Sequence, residues 1–293
     1  MLKERLKLGI IKSSDTPSLS TIMHTAALQH LNLNGEYKTY DVRPDELEKA
    51  FKELKKEKIK GINITMPHKI NIIPLLDELT DRAKQIGAVN TIIFKDEKLI
   101  GDNTDISGFW DAIPENIKVN LSGKNLSILG CGGAAHACAI AFLSNNIASI
   151  KIYSRDKKKL EDFKTFLTSV KTPRWGVSIE TDLISNIDLS NTHILINTTP
   201  IGMYPNTDES PIQKTDLEKL PKDTFVYDII YNPLETKLLT YAKSLGLQTL
   251  NGVEMLVRQG AESFNIWLGK DVAPIEIMRN AVLDSLETSL RGA

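Results

Sequence analysis

Short apolar runs alternate with amphipathic helical patterns along almost the whole chain. In the first third, helical patterns at STIMHTAALQHL and PDELEKAFKELKKEK separate the apolar runs KLGII, YKTYDV and IKGINIT. A helical DRAKQIGA follows, and then a pair of strands in NTIIFKDEKLIGDN. Strands that alternate with helices are typical of a largely parallel sheet covered by helices, so this region is predicted to be an α/β domain.

A second series of the same kind begins near residue 125. Its predicted strands are NLSILG, SIKIYS, HILIN, TFVYDII and LQTL, and its predicted helices are residues 133–145, KKKLEDFKTFL and TKLLTYAKSL. Two further helices, GVEMLVRQGAESFNIWL and APIEIMRNAVLDSLETSL, come last. The 293 residues are therefore predicted to form two domains, with seams near 105–120 and near 251.

The charge balance limits the classes of partner. Lys and Arg total 36, Asp and Glu total 37, and the net charge is −1, which gives no electrostatic footprint for nucleic acid or an anionic membrane. We therefore expect small-molecule partners and either a monomer or a homodimer. MLKERLKLGI is charged where a signal peptide needs an apolar core, and two cysteines are too few for a disulfide framework. A soluble, cytoplasmic protein is expected.

The stretch IKGINITMPHKI at residues 59–70 combines a buried strand with a polar end. Pro67 has no N–H to donate, so the strand must end there, and Lys69 comes just beyond it. Ligands of open α/β sheets gather beyond the carboxyl ends of the strands. Taken alone, however, Lys69 is more simply a surface lysine, and Asp105 is more simply the N-cap of a helix at ISGFWDAI.

The clearest local mechanism lies where NLSILG runs into Gly130, Gly132 and Gly133 and then into a helix of small residues. Glycines permit a tight turn and close backbone approach, and the unpaired N–H groups of a helix start can cradle a pyrophosphate. Ala135 stands where the third glycine of G-x-G-x-x-G would be. A purely structural glycine turn therefore remains the alternative.

The residues after the next strand favour NADP over NAD. An NAD site usually presents Asp or Glu there, whereas this chain has Ser154-Arg155-Asp156 followed by three lysines. A guanidinium offers a planar fork of donors that suits the 2′-phosphate of NADP. Asp156 weakens this interpretation, and the lysines could simply open a surface helix.

Eight motifs, taken together, are similar to those of one known family and occur in that family's order. They are Ser18-Leu-Ser20 with His24 a turn later, NITMPHK at 63–69, AVNT at 88–91, GDNTD at 101–105, GCGGA at 130–134, NTTP at 197–200, YDIIY at 227–231 and NGVEMLVRQ at 251–259. The chain thus resembles shikimate dehydrogenases along nearly its whole length.

The resemblance implies reversible, NADP-linked reduction of 3-dehydroshikimate to shikimate, on the route to aromatic amino acids. It also implies an α/β fold of two domains. Residues 1–105 with 252–293 would form the substrate-binding catalytic domain, with a mostly parallel sheet. Residues 106–251 would form a Rossmann-like NADP-binding domain, after which the last helices return to the first domain.

Site residues carry over from the resemblance by matching positions. Lys69 and Asp105 would be the catalytic pair and would also contact substrate. Ser18 and Ser20 would hold the substrate carboxylate, and the rest of the substrate site would be Thr65, Asn90, Tyr231 and Gln259. The cofactor-binding residues would be Gly130, Cys131, Gly132, Gly133, Ala134, Ser154, Arg155, Lys159, Thr198, Ile229, Gly252 and Met255.

Reduction of a ketone explains the catalytic pair. Negative charge grows on the carbonyl oxygen, so a nearby cation or acid must stabilise it and supply a proton, and Lys69 can do both. In the reverse direction a neutral lysine would accept the hydroxyl proton, whereas the adjacent Asp105 favours the charged form. The resting protonation of Lys69 stays open. His24 and His68 are expected to be structural or rim residues.

Two other functions are compatible with the sequence. A quinate or dual quinate/shikimate dehydrogenase that uses NAD is the nearer one. A non-catalytic nucleotide-sensing paralogue is the other, and it would be indicated by loss of Lys69 or Asp105, both of which are present.

Overall fold

The computed structural model describes residues 5–13, 18–57, 59–143, 145–170 and 176–291. Its strands are β1 Leu6–Lys12, β2 Gly35–Asp41, β3 Gly61–Ile64, β4 Glu78–Leu79, β5 Thr91–Lys95, β6 Lys98–Asp102, β7 Asn125–Leu129, β8 Ser149–Ser154, β9 Ser178–Leu183, β10 Ile194–Asn197, β11 Phe225–Asp228 and β12 Gln248–Leu250. Its α-helices are α1 Leu19–His30, α2 Leu47–Lys56, α3 His68–Asn71, α4 Asp81–Ile86, α5 Asp105–Ala112, α6 Glu115–Lys118, α7 Gly133–Leu143, α8 Lys157–Ser169, α9 Lys214–Leu217, α10 Lys237–Ser244, α11 Val253–Leu268 and α12 Ile275–Arg291. Short 3-10 helices lie at Pro44–Glu46, Ile73–Leu75 and Ile184–Asn186.

The chain divides into two compact units. Unit 1 comprises residues 1–108 and 256–293, and unit 2 comprises residues 109–255. The boundaries predicted from the sequence lie three and four residues earlier, at 105/106 and 251/252. Each unit is an α/β structure with its own sheet and its own core.

Unit 1 contains a mixed sheet of six strands within the described residues, in the order β2-β1-β3-β5-β6-β4. β1 pairs in parallel with β2 and β3, whereas β5 pairs antiparallel with both β3 and β6. The strands predicted from the apolar runs and the predicted strand pair are confirmed. The two-residue β4 was not predicted, because so short a segment has no periodicity.

The central strand of unit 1, β3, is buried on both faces, and all four residues of its GINI sequence are buried. On one face, Ile62 and Ile64 share a core with Phe51 and Leu54 of α2. Gly61 leaves room for the indole of Trp267, since a Cβ there would lie 2.1 Å from that ring. This packing holds β3 in the core of unit 1, and Lys69 follows just beyond the carboxyl end of the strand.

Unit 2 contains a parallel sheet in the order β12-β11-β10-β7-β8-β9. Counted from β7, this is the order 3-2-1-4-5-6 of dinucleotide-binding Rossmann domains, read from the β9 edge. The winding direction reverses between β7 and β10, and such a switch point is where these folds bind ligands. The predicted Rossmann-like fold is confirmed.

The sequence prediction missed one strand of unit 2, β9. Its sequence, SIETDL, has only two apolar residues, and most of its side chains are only half-buried because it lies at the sheet edge. In the part of the chain that the structure describes, no helix combines the length and the apolar character needed to cross a membrane.

Candidate active site

The centre of the unit 1 site is an ion pair between Lys69 and Asp105. Lys69 lies on α3, just past β3, and Asp105 is the first residue of α5, just past β6. The Lys69 Nζ donates to Asp105 Oδ2 at 2.7 Å, and the two side chains are 26% and 10% exposed. The ammonium is thus held in a fixed place while part of it faces solvent.

Asn90 holds the other side of the Asp105 carboxylate. Its Nδ2 donates to Asp105 Oδ1 at 2.8 Å, to Thr104 Oγ1 at 3.0 Å and to Gln259 Oε1 at 3.3 Å. The Oδ1 of Asn90 accepts the backbone N–H of Thr104 at 2.9 Å, which fixes the orientation of the amide. The structure therefore brings together four residues that the sequence predicted as one site: Lys69, Asp105, Asn90 and Gln259.

A buried polar cluster that the sequence did not predict supports these four residues. Thr91 Oγ1 donates to Asn90 Oδ1 at 2.9 Å and pairs with Ser263 Oγ at 2.7 Å. Asn63 Nδ2 donates to Ser263 Oγ at 3.1 Å and to the Asn90 carbonyl at 3.1 Å. Buried polar groups of this kind are costly unless every partner is present, so the cluster fixes the Asn90 amide in place.

A second supporting cluster anchors the segment that leads into α5. Arg82 donates to both carboxylate oxygens of Asp102, at 2.6 and 2.7 Å, and also contacts Glu262 of α11. Burial alone would raise the pKa of Asp102, but hydrogen bonds from Arg82 and Thr80 outweigh it and hold this pKa below its usual value. The arrangement keeps Asp102 ionised three residues before Asp105.

The other predicted substrate residues of unit 1 lie at the same sheet edge without bonding to the pair. Ser18 and Ser20 flank the start of α1, which follows β1, and Thr65 follows β3. Because β1 and β3 are parallel neighbours, the carboxyl ends of both strands meet at one edge. Among the described residues, none of these three side chains hydrogen-bonds to Lys69, Asp105, Asn90 or Gln259.

The two histidines near the first motifs are core residues. His68 Nε2 lies 2.8 Å from the Val42 carbonyl, and the His68 ring is fully buried. His24 is also fully buried and stacks on Tyr37 with 4.4 Å between the ring centroids. Both agree with the structural role expected from the sequence.

In unit 2 the glycine turn lies at the switch point of the sheet. Gly130 follows β7 with φ +104°, and a Cβ there would lie 2.6 Å from Thr198 Oγ1, which follows β10. Any side chain at this position would be strained and would also collide with its neighbour. Added Cβ atoms at Gly132 and Gly133 would meet no atom within 4 Å, so the backbone at the start of α7 is open to close approach by a ligand.

The residues predicted to select NADP lie at and just after the end of β8, the neighbour of β7. Arg155 and Lys159 are exposed, and Ser154 Oγ accepts the Cys131 thiol proton with the two atoms 3.2 Å apart. Asp156 is the N-cap of α8, because its Oδ1 accepts the Lys159 backbone N–H at 3.1 Å. Its carboxylate therefore has a capping role, and Arg155 remains the exposed group that suits a phosphate.

The remaining predicted residues of unit 2 follow β11 and β12. Ile229 and Tyr231 come directly after β11, and Tyr231 is exposed. Gly252 N–H donates to the Ile230 carbonyl at 2.9 Å, and a Cβ on Gly252 would lie 1.9 Å from the Ile229 carbonyl oxygen. Only glycine fits here. Met255 is buried within α11.

Taken by itself, unit 2 fits a dinucleotide. It offers a glycine turn with open space at the N-terminus of an eleven-residue helix, where backbone N–H groups and the helix dipole favour phosphate. Beside the turn it offers an exposed guanidinium and lysines. Unit 1, by itself, offers an ammonium, a carboxylate and two amides, which can orient a polyhydroxylated molecule and exchange a proton with it.

Known proteins are similar to this chain along nearly its whole length. Residues 14–92 match the family model of the shikimate dehydrogenase substrate binding domain, and residues 252–283 match that of the shikimate 5′-dehydrogenase C-terminal domain. The shikimate dehydrogenase (NADP(+)) of Methanocaldococcus jannaschii is 42% identical over 280 residues, which is 95% of this chain and 96% of the relative.

Solved structures are similar over the same length. A crystal structure of a shikimate dehydrogenase in complex with NADP⁺ is 40% identical, with a TM-score of 0.87 and 96% of each chain covered. A ligand-free 5-ketofructose reductase of Gluconobacter sp. strain CHM43 is 34% identical, with a TM-score of 0.83, covering 96% of this chain and 99% of the other. The resemblance found in the sequence is confirmed, and the chain belongs to the shikimate dehydrogenase family.

Proposed function

We propose that this protein is an NADP-dependent shikimate dehydrogenase that reversibly reduces 3-dehydroshikimate to shikimate. The observation that carries the proposal is the Lys69–Asp105 pair, 2.7 Å apart and braced by Asn90, in a chain of this family. The shikimate dehydrogenase relatives and the structure with bound NADP⁺ support the cofactor.

The chemistry assigned to unit 1 is proton transfer and charge stabilisation. Bound NADPH supplies the hydride that reduces the substrate ketone. The Lys69 ammonium stabilises the negative charge that develops on the carbonyl oxygen and gives that oxygen a proton. Asp105 keeps the Lys69 Nζ in position, and Asn90 keeps the Asp105 carboxylate in position.

The remaining predicted residues bind and orient. We assign the substrate carboxylate to the hydroxyls of Ser18 and Ser20. Thr65, Asn90, Gln259 and Tyr231 are assigned to the hydroxyls and the rest of the substrate. We assign the cofactor pyrophosphate to the turn at residues 130–134. The 2′-phosphate is assigned to Ser154, Arg155 and Lys159. The other proposed cofactor-binding residues are Thr198, Ile229, Gly252 and Met255.

Steady-state kinetics test the substrate and the cofactor together. Shikimate and quinate should each be assayed with NADP⁺ and with NAD⁺, and 5-ketofructose with NADPH. We expect the highest kcat/KM for shikimate with NADP⁺. A clear preference for quinate with NAD⁺, or efficient reduction of 5-ketofructose without turnover of shikimate, would refute the proposal.

The replacement Lys69→Ala tests the mechanism. We expect kcat to fall by about 100-fold or more with a smaller change in KM, because stabilisation of the transition state is lost. Lys84→Ala is the matched control, since Lys84 is an exposed lysine of the same unit that pairs only loosely with Asp81, at 3.7 Å. Near-normal turnover of a folded Lys69→Ala protein would remove Lys69 from the mechanism.

The partners follow from the same proposal. We propose small molecules as the partners of both units, and a monomer or homodimer as the state of assembly. Sedimentation velocity across a range of protein concentrations distinguishes the two states.

A further inference from the structure

Two buried polar side chains of unit 2, Asn197 and Asp228, have no role in the binding assignments above. Asn197 ends β10 and Asp228 ends β11, and the two residues are register partners in neighbouring parallel strands. Both are 0% exposed. Asn197 Nδ2 donates to Asp228 Oδ1 at 3.0 Å, so the pair bridges the two strand ends.

Each side chain also binds the segment that follows its own strand. Asn197 Oδ1 accepts the Thr199 backbone N–H at 3.0 Å and the Thr199 hydroxyl at 2.7 Å. Asp228 Oδ1 accepts the Ile230 backbone N–H at 3.1 Å. The two turns that leave the carboxyl edge of the sheet are therefore tied to one another through two side chains.

These turns carry three of the residues that we propose contact the cofactor or the substrate, and a fourth, Gly252, bonds to one of these turns. Thr198 lies between Asn197 and Thr199, and its N–H and hydroxyl both donate to the Leu129 carbonyl, just before the Gly130 turn. Ile229 N–H donates to the Asn197 carbonyl at 3.1 Å, and Gly252 donates to the Ile230 carbonyl. Tyr231 follows directly. A change at the pair would thus reach the proposed cofactor edge from β7 to β12.

The second carboxylate oxygen of Asp228 binds a different part of unit 2, the start of α10. Asp228 Oδ2 accepts the Thr236 hydroxyl at 2.7 Å, and Thr236 Oγ1 in turn accepts the Leu239 N–H as the N-cap of α10. The Asp228–Thr236 hydrogen bond therefore connects β11 to α10 and not to the two turns. Removing the Thr236 hydroxyl should destabilise the same region without breaking the Asn197–Asp228 link.

The Asp228 carboxylate is buried at a cost in desolvation. Burial raises the pKa of Asp228 to about 6 although Thr236, Ile230 and Asn197 all donate hydrogen bonds to it. An ionised carboxylate at neutral pH is therefore held against its own desolvation. Titratable groups with perturbed pKa values cluster at functional sites.

We propose that Asn197 and Asp228 form a positioning pair that sets the turns after β10 and β11 for cofactor binding. The inference rests on the proposed function. Neither residue contacts the cofactor in this scheme. Both act through the backbone of residues 198–199 and 229–230, and the link between the two side chains makes the two turns behave as one unit.

The test measures the NADPH dissociation constant of the full-length protein by fluorescence titration, without turnover. Asp228→Ala and Asn197→Ala should each weaken NADPH binding by about tenfold or more, because buried donors lose their acceptor and the turns are freed. The double variant should weaken binding by less than the product of the two single effects, because the link between the two side chains is already lost in each single variant. Asp228→Asn should stay within about threefold of wild type, since its amide oxygen can still accept from Asn197 and Ile230.

Thr236→Val is the control for a merely structural role. It should lower the urea midpoint while the NADPH dissociation constant stays within about twofold of wild type, because it removes only the hydrogen bonds that Thr236 makes to Asp228 and Leu239. Wild-type NADPH affinity in a folded Asp228→Ala or Asn197→Ala protein would overturn the inference. So would a loss of affinity in Thr236→Val equal to that in Asp228→Ala, or failure of both alanine variants to fold while Thr236→Val folds.

Failure of the positioning role can be told apart from failure of the proposed function by the behaviour of the wild-type protein. A wild-type protein that binds NADPH but does not oxidise shikimate would refute the proposed substrate and leave the binding comparison intact. A wild-type protein that does not bind NADPH would refute the proposed cofactor and, with it, the positioning role.

Discussion

His24 should make the stability of unit 1 fall steeply in mild acid. Its ring is fully buried between Tyr37, Phe264 and Trp267, and neither ring nitrogen has a hydrogen-bond partner among the described residues. Burial lowers the pKa of His24 to about 3, so the folded protein holds the imidazole neutral. In the unfolded chain the same group takes up a proton below about pH 6.5.

The magnitude follows from these two pKa values. Below pH 6.5 the unfolded state binds one more proton than the folded state, so the free energy of unfolding falls by about 1.4 kcal/mol per pH unit until pH approaches 3. Between pH 7 and pH 5 this single group should therefore remove about 2 kcal/mol. That is a large part of the stability of an ordinary domain.

The replacement His24→Phe isolates this contribution. Phenylalanine keeps a flat ring against Tyr37 but cannot take up a proton, and any overpacking is the same at both pH values. Urea unfolding at pH 7 and pH 5 should be followed by the fluorescence of Trp267, with Trp110 and Trp175 replaced by Phe in all proteins. Trp175 lies outside the described residues. Wild type should lose about 2 kcal/mol more than His24→Phe between the two pH values.

His30→Gln is the matched control, because His30 is an exposed histidine on the same helix. It should follow the pH dependence of wild type. If His24→Phe and wild type lost the same stability between pH 7 and pH 5, the buried imidazole would not be the source of acid sensitivity and the reasoning would be refuted.

Three further outcomes are expected. Gly61→Ala should destabilise unit 1 by about 1–3 kcal/mol or more in urea unfolding, because its Cβ would overlap the buried Trp267 indole; an unchanged midpoint would contradict the packing described. Gly252→Ala should weaken NADPH binding by about tenfold or more while shikimate binding is retained, because its Cβ would displace the Ile229 carbonyl, and equal losses of both ligands would point to general unfolding. Asp228→Asn should remove one pH-dependent contribution to the stability of unit 2: burial raises the folded pKa of Asp228 to about 6, above its ordinary value of 3.8, so this carboxyl should by itself contribute about 2 kcal/mol more stability at pH 4 than at pH 7, and a variant whose pH dependence in urea unfolding equals that of wild type would exclude Asp228.

The sequence predicted the framework well because the apolar pattern and the glycine turns are local signals. β3 and β7 are short buried runs bounded by turn residues, and both occur where they were predicted. β9 was missed because this edge strand has only two apolar residues and no alternating pattern to detect. The antiparallel β5–β6 hairpin was found because NTIIFKDEKLIGDN has two strand-like halves around a turn.

The residues of the candidate site divide in a similar way. Lys69, Asp105, Asn90 and Gln259 were found because they lie in motifs of a recognised family. Ser263 was missed, because it is a single hydroxyl on an apolar helix face and its partner Asn63 is 200 residues away. A local sequence pattern cannot predict a contact between residues so far apart in the chain. Asp156 was interpreted as a weakness of the NADP site because its capping bond to Lys159 depends on where α8 begins.

The division of unit 1 between the two ends of the sequence has a consequence for synthesis on the ribosome. Unit 2 is one continuous segment, so all of its strands and helices have been made once residue 255 has been added. Unit 1 needs residues 256–293 as well, because Ser263 closes the buried polar cluster and Trp267 fills the space above Gly61. We therefore expect unit 2 to complete its fold before unit 1, which carries Lys69 and Asp105 and is begun first.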